Sequence, residues 1–496
     1  MSRAIALFLA IGLWCSPLLA FEIPLAELLY GPSNPSLIED LEIYPASHLS
    51  LEFGYWDIYH ERDGDKLHDY NQASVSLRGL RQNERMFVGV RVERAEFSAE
   101  QQNVYTDADR MSGRVAIGEG AILLGTARRN GEFAAGVREF QATASVGYRD
   151  GFAGDIETLV GWGRAATIHL RAETFETNLD VEEEIVGFDF PFHFPYRTYR
   201  AYGRVESVPK DPYRLRVWGT LGKSSGEGEP ESDFENRPAV DEYSFGGRLD
   251  YGLEVHDRFQ NTPRKLPSDS GFPGVRLTAL QDHAAVNLDM YFDGTRYLRL
   301  DDLQLAETNV RLDVVPFRWG ALFGGWQRFR VEHDGDSFVD VWPFTIWDVF
   351  AAKRYRLGPS DVELQAWYAG AGVLVERRRY EIDITGRFEW WEDTGVLNLL
   401  ERVDDLFPFF FHYERTQNDV DLSARYAVQV DPTFVFRAAT SIDLRLSGRI
   451  AFPFGPGGDE GEGDGGGGGG PPQPAPPSQR SVHGGVWGRL ELVIAL

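Results

Sequence analysis

Cysteine is almost missing from this 496-residue chain. The one example, Cys15, falls inside an N-terminal leader pattern, so the expected mature chain has none. That excludes disulfides, a thiolate nucleophile and cysteine-ligated metal. Lysine is scarce too. Only Lys66, Lys210, Lys223, Lys265 and Lys353 occur among the 50 basic residues, and the rest are arginine. A GC-rich genome explains that bias simply, and the affinity of a guanidinium fork for carboxylate and phosphate explains it functionally. Past the leader no segment approaches the roughly 18 consecutive apolar residues of a membrane helix, which excludes a helical membrane protein. Catalytic signatures are lacking as well. There is no Gly-x-Ser-x-Gly, no His-Glu-x-x-His and no phosphate-binding Walker loop. The expectation is no enzyme, no cofactor and no metal site. The Asp-Gly-Asp turns at Asp63–Asp65 and Asp334–Asp336 lack the full spacing of a calcium loop and read as ordinary acidic turns. A net charge of −26 argues against nucleic acid as a partner.

What is present begins with that leader. Met1-Ser2-Arg3, an apolar run to Trp14 and the small residue Ala20 form a secretory signal over residues 1–20. Residues 21–47 then read as a short periplasmic lead. Beyond it the dominant signal is alternation. Leu49/Leu51/Phe53/Tyr55, Met86/Val88/Val90/Val92 and Tyr243/Phe245/Gly247/Leu249/Tyr251 each share one face of a period-2 strand. Phe434 through Ile450 reads as one such run after an Asp431-Pro432 turn, and Val482–Leu496 alternates to the final residue. Strands near Ala121, Leu303 and Trp347 break phase, which points to bulges or to misplaced strand boundaries.

Short connections such as Gln82-Asn83-Glu84 and Gly358-Pro359-Ser360 mostly alternate with long polar ones. Outer-membrane barrels do the same, with short periplasmic turns and long external loops. The expected fold is all-β, a transmembrane antiparallel up-and-down β-barrel of about 18 strands (16–18) over residues 48–496. The Gly/Pro-rich stretch 455–480 reads as a disordered external loop. A soluble β-sandwich is the structural rival. No fixed repeat supports a propeller or β-helix.

With the apolar parity in lipid, the other parity lines the lumen. It places Arg200, Arg204, Arg214, Arg216, Arg328, Arg330, Arg425, Arg437, Arg445, Arg449 and Arg489 on the pore wall, with Asp443 and Glu491 as acid neighbours. Arg214 with Arg216, and Arg445 and Arg449 with Arg437, form ladders along single strands, a geometry that hands an anion or sugar acid along a channel. The plainer reading is solvation and cross-strand pairing. The segment Asp383–Gln417 reads as a loop with helical spacing over Gly395–Asp405. Trp390, Trp391, Phe409, Phe410 and Phe411 on it are candidates for a constriction, or else for an interfacial aromatic belt.

The pattern resembles Gram-negative outer-membrane β-barrels of porin type. Among these, size, strand number and arginine-rich lumen are similar to the alginate-export porins, though the chain ends in Leu496 where such barrels usually end in Phe. The resemblance implies an outer-membrane channel for hydrophilic, anionic or carbohydrate solutes, including export of an acidic exopolysaccharide. Its implied partners are outer-membrane lipid and lipopolysaccharide, the barrel-assembly machinery and a small or polysaccharide solute. A non-conducting structural or adhesive barrel is the alternative, and a barrel enzyme acting on lipid or saccharide a third.

Overall fold

Alternating side chains demand a partner strand on each edge, and the described strands find one on both edges, except β5 and β20, which pair on one edge only. The computed structural model describes residues 47–62, 65–102, 109–126, 129–134, 136–149, 151–163, 165–185, 188–207, 213–228, 234–251, 274–292, 295–317, 319–334, 337–340, 351–396, 398–405, 411–417, 426–454 and 481–496. The expected signal peptide, most of the periplasmic lead, the 455–480 loop, Trp347, Phe409, Phe410 and Arg425 lie outside these residues.

The wall opens with β1 (His48–Arg62), β2 (Asp65–Gln82), β3 (Met86–Gln102) and β4 (Asp109–Thr126). A short β5 (Arg129–Ala134) edges the hairpin of β6 (Val137–Arg149) and β7 (Phe152–Trp162). Then follow β8 (Ala166–Ile185), β9 (Phe188–Ser207), β10 (Tyr213–Gly228), β11 (Phe234–Tyr251), β12 (Gly274–Phe292) and β13 (Thr295–Phe317). Interrupted arms come next: β14 (Gly320–His333) into β15 (Ser337–Asp340), β16 (Ala351–Leu357) into β17 (Ser360–Glu376), and β18 (Tyr380–Val396) into β19 (Leu399–Asp405). Last are β20 (Phe411–Gln417) into β21 (Tyr426–Ala439), β22 (Ile442–Phe454) and β23 (Ser481–Ala495). Counting each interrupted arm once and leaving out β5, the segments make a closed antiparallel barrel of 18 strands. β1 and β23 close it in unbroken register, from His48 opposite Ala495 to Arg62 opposite Ser481.

One rim carries the tight turns. Asn83 caps its turn by accepting the Arg85 and Met86 amides on Oδ1, both at 2.8 Å. The Leu496 amide donates to Ser47 O at the same rim. Outward residues just above this rim are exposed and apolar, including Val88, Val90, Ile122, Leu170, Leu215, Phe245, Leu322 and Leu446. A closed cylinder with apolar side chains outside and charge inside has its wet surface reversed relative to a soluble protein, which excludes the sandwich rival.

Strand β7 measures the apolar band. Its outward face begins at Phe152 and ends at Trp162, both more than half exposed. Ten steps of about 3.3 Å, tilted about 40°, rise about 25 Å, the height of the apolar belt of an outer-membrane barrel. Above that height the wall forks. β4 pairs with β6 over Glu119–Gly125 but with β8 over Asp109–Val115. The β6–β7 hairpin therefore stops partway up, where β4 and β8 join directly. The expected phase break near Ala121 is absent: β4 keeps unbroken register with β3, and Ala121 pairs with Gly147 of β6 without a slip.

Several sequence expectations are corrected. Phe434–Ile450 is two strands, with the turn at Thr440-Ser441. Asp431-Pro432 lies within β21, where Val430 faces Ile450 and Thr433 faces Ser447. Gly358-Pro359 is no rim turn. It interrupts the arm of β16 and β17 at the height of the gap between β14 and β15. The stretch Gly395–Asp405 is not helical: it is the end of β18 and all of β19. The break near Leu303 is a bulge, as expected. The register slips between Val286 and Leu288, and Asp302 takes a left-handed φ of 49°.

Candidate functional site

Alternation turns one side chain in two toward the barrel axis, and these inward groups carry charge. Thr143, Ser145, Asp155, Glu157, His169, Arg171, Glu173, Arg200, Arg204 and Glu206 share the inner face of β6 to β9. His169 Nε2 meets Glu157 Oε1 at 2.7 Å, and Thr143 Oγ1 donates to the other Glu157 oxygen at 3.3 Å. Arg171 lies 2.9 Å from Glu173 and 3.5 Å from Asp155, and Arg200 reaches Glu173 at 3.6 Å. Arg204 pairs with Glu206 at 3.1 Å.

The network continues around the ring. Asp250 receives Arg248 at 2.9 Å and Arg276 at 2.7 Å. Arg311 pairs with Asp313 at 2.7 Å. On β18, Arg387 pairs with Glu389 at 2.5 Å, and Trp391 Nε1 donates to the second Glu389 oxygen at 2.8 Å. Arg437 donates to Glu381 at 3.0 Å and Arg489 to Glu52 at 2.7 Å. Arg445 lies 3.8 Å from both Asp443 and Glu491. Arg449 donates to Asp431 at 2.8 Å, so the acid expected in a turn is a wall partner.

Thus Arg200, Arg204, Arg437, Arg445, Arg449, Arg489, Asp443 and Glu491 sit on the inner wall, as the parity of the sequence places them. They do not form an arginine ladder. Arg437 is on β21 while Arg445 and Arg449 are on β22, and each has a carboxylate beside it. Glu119, Asp155, Glu157, Asp313, Glu381, Glu389 and Asp431 are wall acids the sequence argument did not weigh. Paired opposite charges are what burial demands, because an isolated ion in a low-dielectric wall is costly. Arg214 and Arg216 lie on β10, opposite Asp250 and Arg248 respectively in register.

Arg328 and Arg330 are corrected outright. They share the outer face of β14 with Leu322 and Trp326, just beyond the apolar band. Arg328 pairs with Glu363, and Arg330 donates to Asp361 from Nε at 3.0 Å and from a terminal nitrogen at 2.8 Å. Those hydrogen bonds hold the Asp361 and Glu363 carboxyls below their usual range and raise the Arg330 guanidinium. The cause of the misplacement is physical. Over this stretch the apolar parity, Phe329 and Val331, turns inward, so the parity rule that holds inside a membrane points the wrong way. Trp390 and Trp391 behave likewise. They are strand residues, not loop residues, with Trp390 about half exposed on the outer face and Trp391 fully buried within. Phe411 opens β20 opposite Asp405.

Above this zone a polar stitch ties the interrupted arms. His333 Nε2 meets Ser337 Oγ at 2.6 Å and its Nδ1 meets Gly358 O at 3.0 Å. The Asp301 amide donates to Ser337 Oγ, and the Asn398 amide to Ser360 Oγ, each at 3.0 Å. No motif announced it, because its members come from four separated segments.

No protein-family model and no curated protein matches this sequence. In shape, the chain is similar to CdiB from Acinetobacter baumannii, with TM-score 0.32 and 8% identity over 90% of this chain and 60% of that one. Similarity to the copper transporter OprC gives TM-score 0.40 at 9% identity, over 91% of this chain and 81% of that one. OccK3 from Pseudomonas aeruginosa gives 0.30 at 12%, over 91% of this chain and 95% of that one.

Proposed function

We propose that the protein is an outer-membrane channel of a Gram-negative envelope, passing small hydrophilic solutes through the barrel axis. The observation that carries this reading is the ring of charged side chains on the inner face of a closed 18-strand wall whose outer face is apolar. Barrels of about this size enclose an aqueous lumen when nothing fills it. Outer-membrane lipid and lipopolysaccharide then contact the outer face, and the barrel-assembly machinery inserts the chain.

The narrower version, a track for anions or acidic exopolysaccharide such as alginate, needs guanidiniums that are not already neutralised. The inner-wall arginines named above have carboxylate neighbours, which weighs toward little charge preference. A hydrolytic reading built on the hydrogen-bonded Ser337–His333 pair meets an obstacle. Both residues are about 1% exposed, so a substrate has no approach to them as they stand.

Planar-bilayer recording of the refolded mature chain under a KCl gradient tests the reading. Discrete conductance steps with a reversal potential near zero are expected. A strong chloride preference would restore the arginine track. No steps under any voltage would remove the channel and leave a structural or adhesive barrel.

A further inference from the structure

Cations in this wall are mostly answered by carboxylates. On the inner face Arg91 pairs with Glu119, Arg276 with Asp250 and Arg449 with Asp431. On the outer face, toward the far edge of the apolar band, Lys223 pairs with Asp241, Arg197 with Glu176, Arg328 with Glu363 and Arg330 with Asp361. Among the residues whose side chains are described, Arg81, Arg85, Arg94, Arg138, Arg378 and Arg379 stand apart, exposed and without an ion pair. All of these except Arg94 lie at the tight-turn rim.

Two turns carry most of them, and both close the same way. The Asn83 amide donates to Met86 O at 2.9 Å, and the Arg377 amide to Tyr380 O at 2.8 Å. The first turn has Asn83 as its cap. The second holds Arg378-Arg379 at its tip, with none of the glycine, proline, asparagine or aspartate that tight turns favour. Arg437 braces it from the next strand. Its amide donates to Arg379 O at 2.8 Å and its guanidinium to Arg377 O at 3.4 Å. Adjacent like charges on a fixed tip repel, so turn chemistry does not account for this pair, whereas an anion would.

The height of these cations says which anion. Arg81 stands opposite Val88 on the outer face. Arg85 precedes Met86 and Arg379 precedes Tyr380, both exposed. Arg138 follows Val137, which faces the exposed Trp162. The cations therefore border the apolar band where lipid headgroups begin. They are spread over three hairpins around the ring rather than gathered in one patch, which suits surrounding lipid better than a single protein partner.

We propose that this rim seats the phosphates of anionic phospholipids. A guanidinium offers phosphate two parallel N–H donors. On the proposed outer-membrane placement the short turns lie at the periplasmic leaflet. The inference rests on that membrane reading and adds to it a lipid class and the residues that select it.

Tryptophan quenching by brominated lipid tests it, since Trp162 and Trp319 are exposed at this rim. The refolded mature chain is inserted into mixed phosphatidylcholine and phosphatidylglycerol vesicles in which one lipid or the other carries the bromine. Wild type should favour phosphatidylglycerol about fivefold. Salt at about 1 M, where the Debye length is about 3 Å, should remove most of that preference. Arg378→Gln with Arg379→Gln should lower it about twofold, and adding Arg81→Gln and Arg85→Gln should bring it close to parity. Lys223→Gln with Asp241→Asn removes a paired cation and should leave it unchanged. Equal quenching by both lipids in inserted wild type overturns the phospholipid site while the membrane reading stands. A preference that survives all four arginine substitutions overturns it as well. A chain that enters no vesicle removes the membrane reading and this inference together.

Discussion

Asp250 shows what a single inward charge does in this wall. It is 1% exposed and accepts two guanidiniums, Arg248 and Arg276, from its own strand and the next. Removing it leaves two buried cations facing each other. We expect Asp250→Ala to cost about 3–5 kcal/mol, as breaking one side of a buried pair does. Asp250→Asn, which keeps an acceptor oxygen, should cost less. Urea titration of both variants in lipid vesicles measures the difference. The outer collar behaves differently, being wet. Asp361 and Glu363 start from ordinary values of 3.8 and 4.5 and are lowered by Arg330 and Arg328. Their contribution is therefore full above about pH 4.5 and fades as pH falls through the lowered values. Hydrogen exchange at the upper ends of β14 and β17 should be slow at pH 7 and quicken at pH 3. Which arginines face inward was legible from parity for Arg200, Arg204, Arg437, Arg445, Arg449 and Arg489. It failed for Arg328 and Arg330 because parity says which residues share a face and only the solvent outside says which face is which.

At the scale of elements, the hairpin of β6 and β7 is the instructive piece. Lipid-exposed backbone must be fully paired, so a fork in the sheet has to sit at or beyond the edge of the hydrocarbon. Tyr148 and Phe152 beside the hairpin tip suit that edge, as amphipathic and aromatic rings do. Arg149 seals the inner side by stacking 3.9 Å over Phe175, and Arg197 pairs with Glu176 on the outer side. This placement makes depth a testable quantity. Ile156→Arg, near mid-band, should cost about 2–4 kcal/mol, whereas Phe152→Arg at the edge should cost about 0–1 kcal/mol. Equilibrium unfolding from vesicles of defined thickness separates the two. Strand existence was legible here wherever alternation ran clean, as in β1, β11 and β23. Boundaries were not. Asp431-Pro432 looks like a turn by residue type, yet Pro432 sits within the ladder opposite Ile384, and Val430 and Thr433 on either side keep one register with Ile450 and Ser447. The real turn, Thr440-Ser441, carries neither glycine nor proline.

For the molecule as a whole, the count of about 18 strands and the antiparallel ring were readable, because short and long connections recur so regularly. The reversal of polarity past the apolar band was not. It needs the height of each residue, which only strand register supplies. Ring closure has its own consequence. β1 and β23 are separated by nearly the whole chain, yet they pair along 15 consecutive residues. Until the last strand arrives, the growing sheet presents two open edges, and open edges recruit foreign strands. Contacts between chain ends also form slowly, since the loop they close is the longest available. On the proposed outer-membrane location, the polypeptide would cross the periplasm as an incomplete object, with both edges open until the final segment seals them.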